Sequence, residues 1–535
     1  MKCKFKLTRL SAAMAIAVGG LGAATPTLAV NLSDNGLGDV GVSPYYTVRN
    51  NIATNLTVVN TSPDYVVAFK IRFREGDNSR DARDFNVFLS PNDVWTATIS
   101  VNPDDDDDPT NDVPRLITPD QSCTAPILER IGETADGRAI RSIDFTNIAY
   151  AGGSTFPVDT DEPELLTIER AQEGHFEVIE MGVARPGDSV LANWAVHTNN
   201  PTTLDCAKIV QVYTGDRAID STSDVCGPTG VGLTGNLAFK AEYCEPLNVL
   251  KVSANLIQVD KGVAGGIPVE MLANFYNPNL VEDYLNPDPD DLMEIPQSED
   301  PNLNDALPPQ SVQITEDGAV TAFFADPAIA GANAVSSLFA ATDVINEYAV
   351  GGAAVAQNAW VLTFPTKWFY VDVEEDQQVT LPVAPPARPN PFQEYFPMNG
   401  VSCVTVDFEY YNREEVPPGI PPGGLEPSPP PVVDIPEDSI CQETQILNFG
   451  DQSLLGSKNN YFVPLEDGFS NGWMRLGFPD ATWIEDTAGL RFYGLPVIGF
   501  SLKTLENGVA GDNTLNYGVV TEHAYLRFIE PAPVQ

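Results

Sequence analysis

Histidine is the scarcest chemically versatile residue in this chain: His175, His197 and His523 are the only three in 535 residues. Imidazole is the usual general base and metal ligand near neutral pH, so acid/base dyads and His-based metal centres have little to draw on. Positive charge is also sparse, with 29 Lys+Arg against 74 Asp+Glu and a formal charge of −45. A surface this negative repels nucleic acid and anionic headgroups, and neither is an expected partner. No uncharged apolar stretch reaches the ~18 residues that a membrane-spanning helix needs. The chain has no G-x-S-x-G elbow, no H-E-x-x-H and no phosphate-binding glycine loop. Paired carboxylates for glycoside hydrolysis carry no weight, because among 74 acids some pair always falls at a suitable spacing. These absences predict that the protein is not an enzyme. A hydrolase of unrecognised type would need one of the histidines, or convergent acids, at the floor of a pocket.

Residues 1–29 read as a secretory signal. Lys2, Lys4, Lys6 and Arg9 form the basic start, Leu10–Val18 the short apolar core, and Thr27-Leu-Ala29 the small-x-small cleavage site. The mature chain then holds 25 bases against 74 acids, a charge of −49. Cys3 leaves with the signal and six cysteines remain: Cys123, Cys206, Cys226, Cys244, Cys403 and Cys441. An even number, widely spaced and without any CxxC, fits disulfides in an oxidising compartment. Fifteen connectivities are open, and we take nearest neighbours: 123–206, 226–244 and 403–441. The expected location is the cell surface or extracellular space, with the periplasm as an alternative.

The patterning is that of strands. Residues 55–60 and 66–73 alternate apolar and polar side chains across an Asn60–Asp64 turn. Residues 85–99 read as two strands joined at Ser90–Asp93, with Phe85, Val87 and Leu89 on one face and Trp95, Ala97 and Ile99 opposing Val94, Thr96 and Thr98. Similar texture recurs at 175–183, 207–213, 235–243, 248–258, 360–372, 401–411, 490–503 and 514–528. One helix is expected near 334–349, with Leu338, Phe339, Ala341, Val344, Ile345 and Tyr348 as its apolar stripe and Gly351-Gly352 as its stop. The predicted class is mostly β, with two or more sandwich-like (immunoglobulin-like) domains, at 30–245 and 246–535. The second carries an acidic insertion at 282–310 and a Pro-rich loop at 413–440, whose 417–436 stretch holds nine prolines and reads as extended polyproline II.

Acidic residues cluster in turns. Residues 262–366 contain fifteen Asp+Glu and no base. Calcium takes six to eight oxygen ligands, and Asp side chains with turn carbonyls supply them. The candidate ligands are Asp104, Asp106, Asp108, Asp159, Asp161, Asp288, Asp290 and Asp291, with Ca²⁺ as the only implied ion. None of the clusters matches a known calcium-loop motif, and solvated surface charge is the simpler reading. Among aromatics, Trp360, Trp368, Phe369, Tyr370, Trp473 and Trp483 are expected chiefly in cores, while Tyr410-Tyr411 is the first suspect for an exposed pair.

Several segments look familiar: Gly36-Leu-Gly-Asp-Val40, Pro44-Tyr-Tyr-Thr-Val48, Val67–Gly76, Asp84–Pro91, Gly174–Gly182, Thr363–Tyr370 and Gly494–Phe500. Together the chain resembles uncharacterised exported proteins of Gram-negative bacteria described only as cell-surface or surface-layer-like. The resemblance implies an envelope location and carries no site residues. The expected function is an exported structural or interaction protein of the cell surface, self-assembling with calcium or contacting other envelope components. The alternative is a module that binds polysaccharide or another extracellular ligand.

Overall fold

The computed structural model describes residues 29–102, 111–151, 166–197, 204–219, 225–226, 242–276, 298–316, 318–326, 328–352, 355–371, 391–392, 402–414, 439–510 and 513–531. The chain is mostly β, in several sheets. Among the described residues, all strand pairings are antiparallel except Thr444–Phe449 with Asn460–Val463.

The first seven-stranded sheet runs Asn31–Leu32, Glu270–Ala273, Val40–Thr47, Glu173–Ala184, Val66–Glu75, Asp81–Leu89, Cys123–Ala125. The second runs Val263–Ile267, Leu250–Gln258, Ile52–Asn60, Val94–Asn102, Val113–Thr118, Ala139–Asp144, Glu129–Glu133. The sequence reading sets a domain boundary at 245/246, and the strands just beyond it, 250–273, pair into both sheets. One apolar cluster draws on both: Phe69, Ile71, Phe73, Phe85 and Val87 from the first meet Leu56, Val58, Trp95 and Ile99 from the second. Trp95 anchors the contact, with the rings of Phe69 and Phe85 edge-on to it at 6.2 and 6.0 Å. Each such side chain taken from water contributes about 1.5–3 kcal/mol. The Ser90–Asp93 turn lies where the sequence puts it, and Val94 and Thr96 are exposed opposite buried Trp95 and Ala97.

A five-stranded sheet follows, ordered Asn460–Val463, Thr444–Phe449, Ala356–Thr363, Ile498–Ala510, Asn513–Glu522. Its Ala356–Thr363 strand is buried on both faces. Ala359 and Val361 join the cluster around Trp95, while Trp360 and Leu362 face another with Tyr348, Met474 and Leu476. Those residues belong to a four-stranded sheet, Asp407–Asn412, Asn471–Gly477, Asp343–Ala349, Ala524–Leu526.

Two expectations are corrected. The helix near 334–349 spans Ala330–Phe339 only, and Asp343–Ala349 is a strand. After buried Asp343 at its start, Val344, Asn346 and Tyr348 are buried in turn, a period-two pattern that the helical stripe had absorbed. The helix is also one of four in the described residues. Residues 207–213, read as a strand, form the helix Cys206–Tyr213. The Asp205 side chain caps it by accepting from Lys208 N, and Ile209, Val212 and Tyr213 make its buried stripe at helical spacing.

Candidate functional site

The six cysteines form the three expected bridges, 123–206, 226–244 and 403–441. All eight candidate calcium ligands, Asp104, Asp106, Asp108, Asp159, Asp161, Asp288, Asp290 and Asp291, lie outside the described residues, as do residues 1–28 and most of 413–440. Among the described residues no group of three or more His, Cys, Asp or Glu is arranged to hold a metal. No described helix is long and apolar enough to cross a membrane.

The densest concentration of chemistry was not singled out from the sequence. On the Val66–Glu75 strand, Val67, Phe69, Ile71 and Phe73 face the core cluster. Strand alternation turns Lys70, Arg72 and Arg74 to the other face, and all three are buried as well. The neighbouring strands present matching groups. Asp84 lies across from Arg72 on one side and Glu177 on the other, while Asp81 and His175 flank Arg74. The strands approach closely at Gly174, where a Cβ would sit 1.9 Å from Arg74 O.

Residues 298–301 close over this charged face. Lys70 Nζ donates to the carbonyls of Ser298 (3.0 Å) and Asp300 (2.5 Å), and Arg72 to those of Ser298 (2.6 Å) and Pro301 (2.8 Å). Lys70 also meets Asp84 at 3.4 Å, and Arg72 meets Asp81 at 3.6 Å. Burial, with Arg72 beside it, pulls the Lys70 ammonium down to about 8, whereas burial and Asp84 push the Asp81 carboxyl up to about 7. Arg74 Nε lies 3.4 Å from Glu177 and its guanidinium stacks on Trp368. Neither oxygen of Glu177 accepts a hydrogen bond, and neither ring nitrogen of His175 has a hydrogen-bond partner, among the described residues. Burial and then Arg74 push His175 down to about 3, so it is neutral at physiological pH. Glu443 is fully buried beside the same group, and burial drives its pKa well above the carboxylate range. A second ionic knot ties Arg170 to Glu75 at 2.9 Å and Asp77 at 3.2 Å. Such interior ion pairs roughly offset their desolvation, so what they contribute above all is a defined partner for each charge.

The other two histidines also have partners within the fold. His523 Nε2 donates to Val361 O (3.1 Å), leaving Nδ1 to accept from Asn346 (2.9 Å). His197 pairs with Asp93 at 3.3 Å. Two further buried carboxyls lie together: the Asp39 carboxylate accepts from Phe275 and Tyr276 N–H, and Glu180 N donates to Asp39 O at 2.7 Å. Burial lifts Asp39 to about 7, and burial with Asp39 nearby lifts Glu180 to about 8.

The aromatics divide. Trp360 and Tyr370 are core residues, and Tyr410 is buried at 7% exposure. Tyr411 is at the surface, stacked on Trp473 with centroids 4.6 Å apart and planes 16° from parallel. Trp483 lies against Tyr493 and carries Arg491 over its ring. The charged face left a sequence signal in Lys70-x-Arg72-x-Arg74 and Glu173-x-His175-x-Glu177, polar residues at strand period inside segments otherwise read as half-exposed. Comparison with family models, curated proteins and solved structures finds no match.

Proposed function

We propose that this is an exported structural or interaction protein of the bacterial cell surface, built of sandwich-like β units and associating through exposed strand edges. The observation that carries the reading is the end of the second seven-stranded sheet, beyond which no further strand pairs among the described residues. Its last strand, Glu129–Glu133, is solvent-exposed along its length, and three large apolar side chains, Ile127, Ile131 and Ile148, are exposed in the same part of the chain. An edge strand offers unpaired backbone groups to a further strand. The buried ion pairs and the three disulfides support the reading by making a pinned scaffold. The acidic stretches would recruit calcium and relieve the self-repulsion of a chain at −45.

Light scattering on purified residues 30–535, with calcium and then with chelator at moderate salt, tests this. Assemblies that grow with calcium and disperse with chelator are the expected result. A monomer under both conditions would overturn calcium-driven association. Ligand binding is the second reading, and the stacked surface pair Tyr411–Trp473 is what favours it.

A further inference from the structure

The six tryptophans sort by what lies on their rings. Trp95 and Trp360 are fully buried. Trp194 carries Arg217 at 4.8 Å and Lys208 at 5.5 Å, Trp368 carries Arg74 at 4.5 Å, and Trp483 carries Arg491 at 4.8 Å. Trp473 is the exception: it is 38% exposed, and among the described residues no cation lies over its ring.

Its surroundings are those of a cation site. Trp473 sits on the outer face of the four-stranded sheet, with Tyr411 stacked against it from the Asp407–Asn412 strand. On the other side the register puts Glu347 directly across from it. The next row holds Glu409 and Arg475, and Asp343 follows. Tyr411 Oη donates to Glu409, Arg475 pairs with Asp343 at 2.5 Å, and Lys503 reaches Glu347 at 2.5 Å. With Asp407 at the edge, four carboxylates face two bases. An indole face beside a carboxylate attracts a guanidinium by ring quadrupole and by charge, and the planar guanidinium stacks where an ammonium does not.

We infer that the open side of Trp473, between the indole and Glu347, receives an arginine side chain from a basic segment of a partner protein. This rests on the reading of the chain as an interaction protein and names the partner's chemistry. The net charge of −45 argues in the same direction, since a basic partner is drawn to this surface.

The test is fluorescence anisotropy of a labelled alternating Arg-Ser octapeptide titrated with residues 30–535 at roughly 0.1 M salt, where long-range attraction is screened beyond about 10 Å. Trp473→Ala should weaken binding about three- to thirty-fold. Trp473→Phe should restore part of it, Glu347→Gln should weaken it, and the Lys-Ser peptide should bind less tightly than Arg-Ser. An unchanged melting temperature in Trp473→Ala separates loss of the site from loss of the fold. No peptide binding, or binding indifferent to Trp473→Ala, would overturn the proposal. So would a neutral glucan hexasaccharide whose binding depends on Trp473 while the peptide's does not. Self-association is read separately by light scattering, so failure here and failure of the edge-strand reading are distinguishable.

Discussion

The guanidinium carbon of Arg74 lies 4.5 Å from the centre of the Trp368 ring, joining a strand of the first sheet to a short helix some 300 residues later. Arg74 Nε also faces Glu177, whose side chain is wholly buried. Removing the cation takes away the ion pair closest to that carboxylate, leaving His175, itself held neutral, 3.9 Å away and Arg72 across the strand pair. Arg74→Met keeps the aliphatic stem and should cost about 3–5 kcal/mol in urea unfolding. Adding Glu177→Gln should recover part of the loss. Equal losses with Glu or Gln at position 177 would mean that Arg74 acts through its other contacts, the Trp368 ring and the Ser79 carbonyl, and not through Glu177.

The bridge Cys123–Cys206 pins the helix Cys206–Tyr213 to the end strand of the first sheet and closes a span of 83 residues. Constraining a loop of that size in the unfolded chain is worth about 4–5 kcal/mol in the chain-entropy model. Cys123→Ser with Cys206→Ser should lower the urea midpoint accordingly. The same exchange at Cys226 and Cys244, only 18 residues apart, should cost less. The opposite ranking would show that native packing, not loop closure, sets the effect.

Asp39 and Glu180 give the protein an alkaline weakness. Both are fully buried with folded pKa values raised to about 7 and about 8. A raised carboxyl binds its proton more tightly in the folded state. Its contribution is therefore complete below about pH 4 and is lost as pH rises to between 7 and 8. Asp39→Asn should flatten the decline between pH 5 and 8, at some cost in acid. A variant with the wild-type slope would remove Asp39 as its source.

His523 acts on the other limb. Burial holds it near 3, and its Nδ1 is engaged as an acceptor from Asn346. The unfolded chain takes up the proton near pH 6.5, so the stability this neutral ring supplies is complete above that value and disappears as pH falls toward 3. His523→Gln should reduce the loss between pH 6 and 4 by up to about 1.4 kcal/mol per pH unit. Chemical denaturation at a series of pH values reads the difference directly, and parallel curves for both proteins would refute it.

Strand alternation was readable where one face meets water, as at Trp95-Ala97-Ile99 against Val94-Thr96-Thr98. It failed where both faces are buried: Lys70, Arg72 and Arg74 look like a solvated face and are interior. Their anions come from residues 81–84 and 177, and their covering carbonyls from 298–301, a closure that no local pattern encodes. The helix Cys206–Tyr213 and the strand Asp343–Ala349 exchanged places with expectation because short apolar runs satisfy both periods. A cap at Asp205 and pairing to Asn471–Gly477 decided them. The cysteine pairs were recoverable because neighbours along the chain turned out to be neighbours in space.

The Glu129–Glu133 edge tests the assembly reading without disturbing the core. Ile131 is 45% exposed, so replacing it should change folding stability by no more than about 0.5 kcal/mol. Lysine on an edge strand opposes the addition of a further strand by burying a charge at the joint. Ile131→Lys also lowers net negative charge by one, which by itself would favour association in so acidic a chain. The two effects therefore have opposite signs, and the outcome identifies the contact. If the edge is the joint, Ile131→Lys shrinks the calcium-dependent assemblies in light scattering while Ile131→Thr leaves them larger. If charge alone governs association, Ile131→Lys assembles at least as well as wild type, and the joint lies elsewhere.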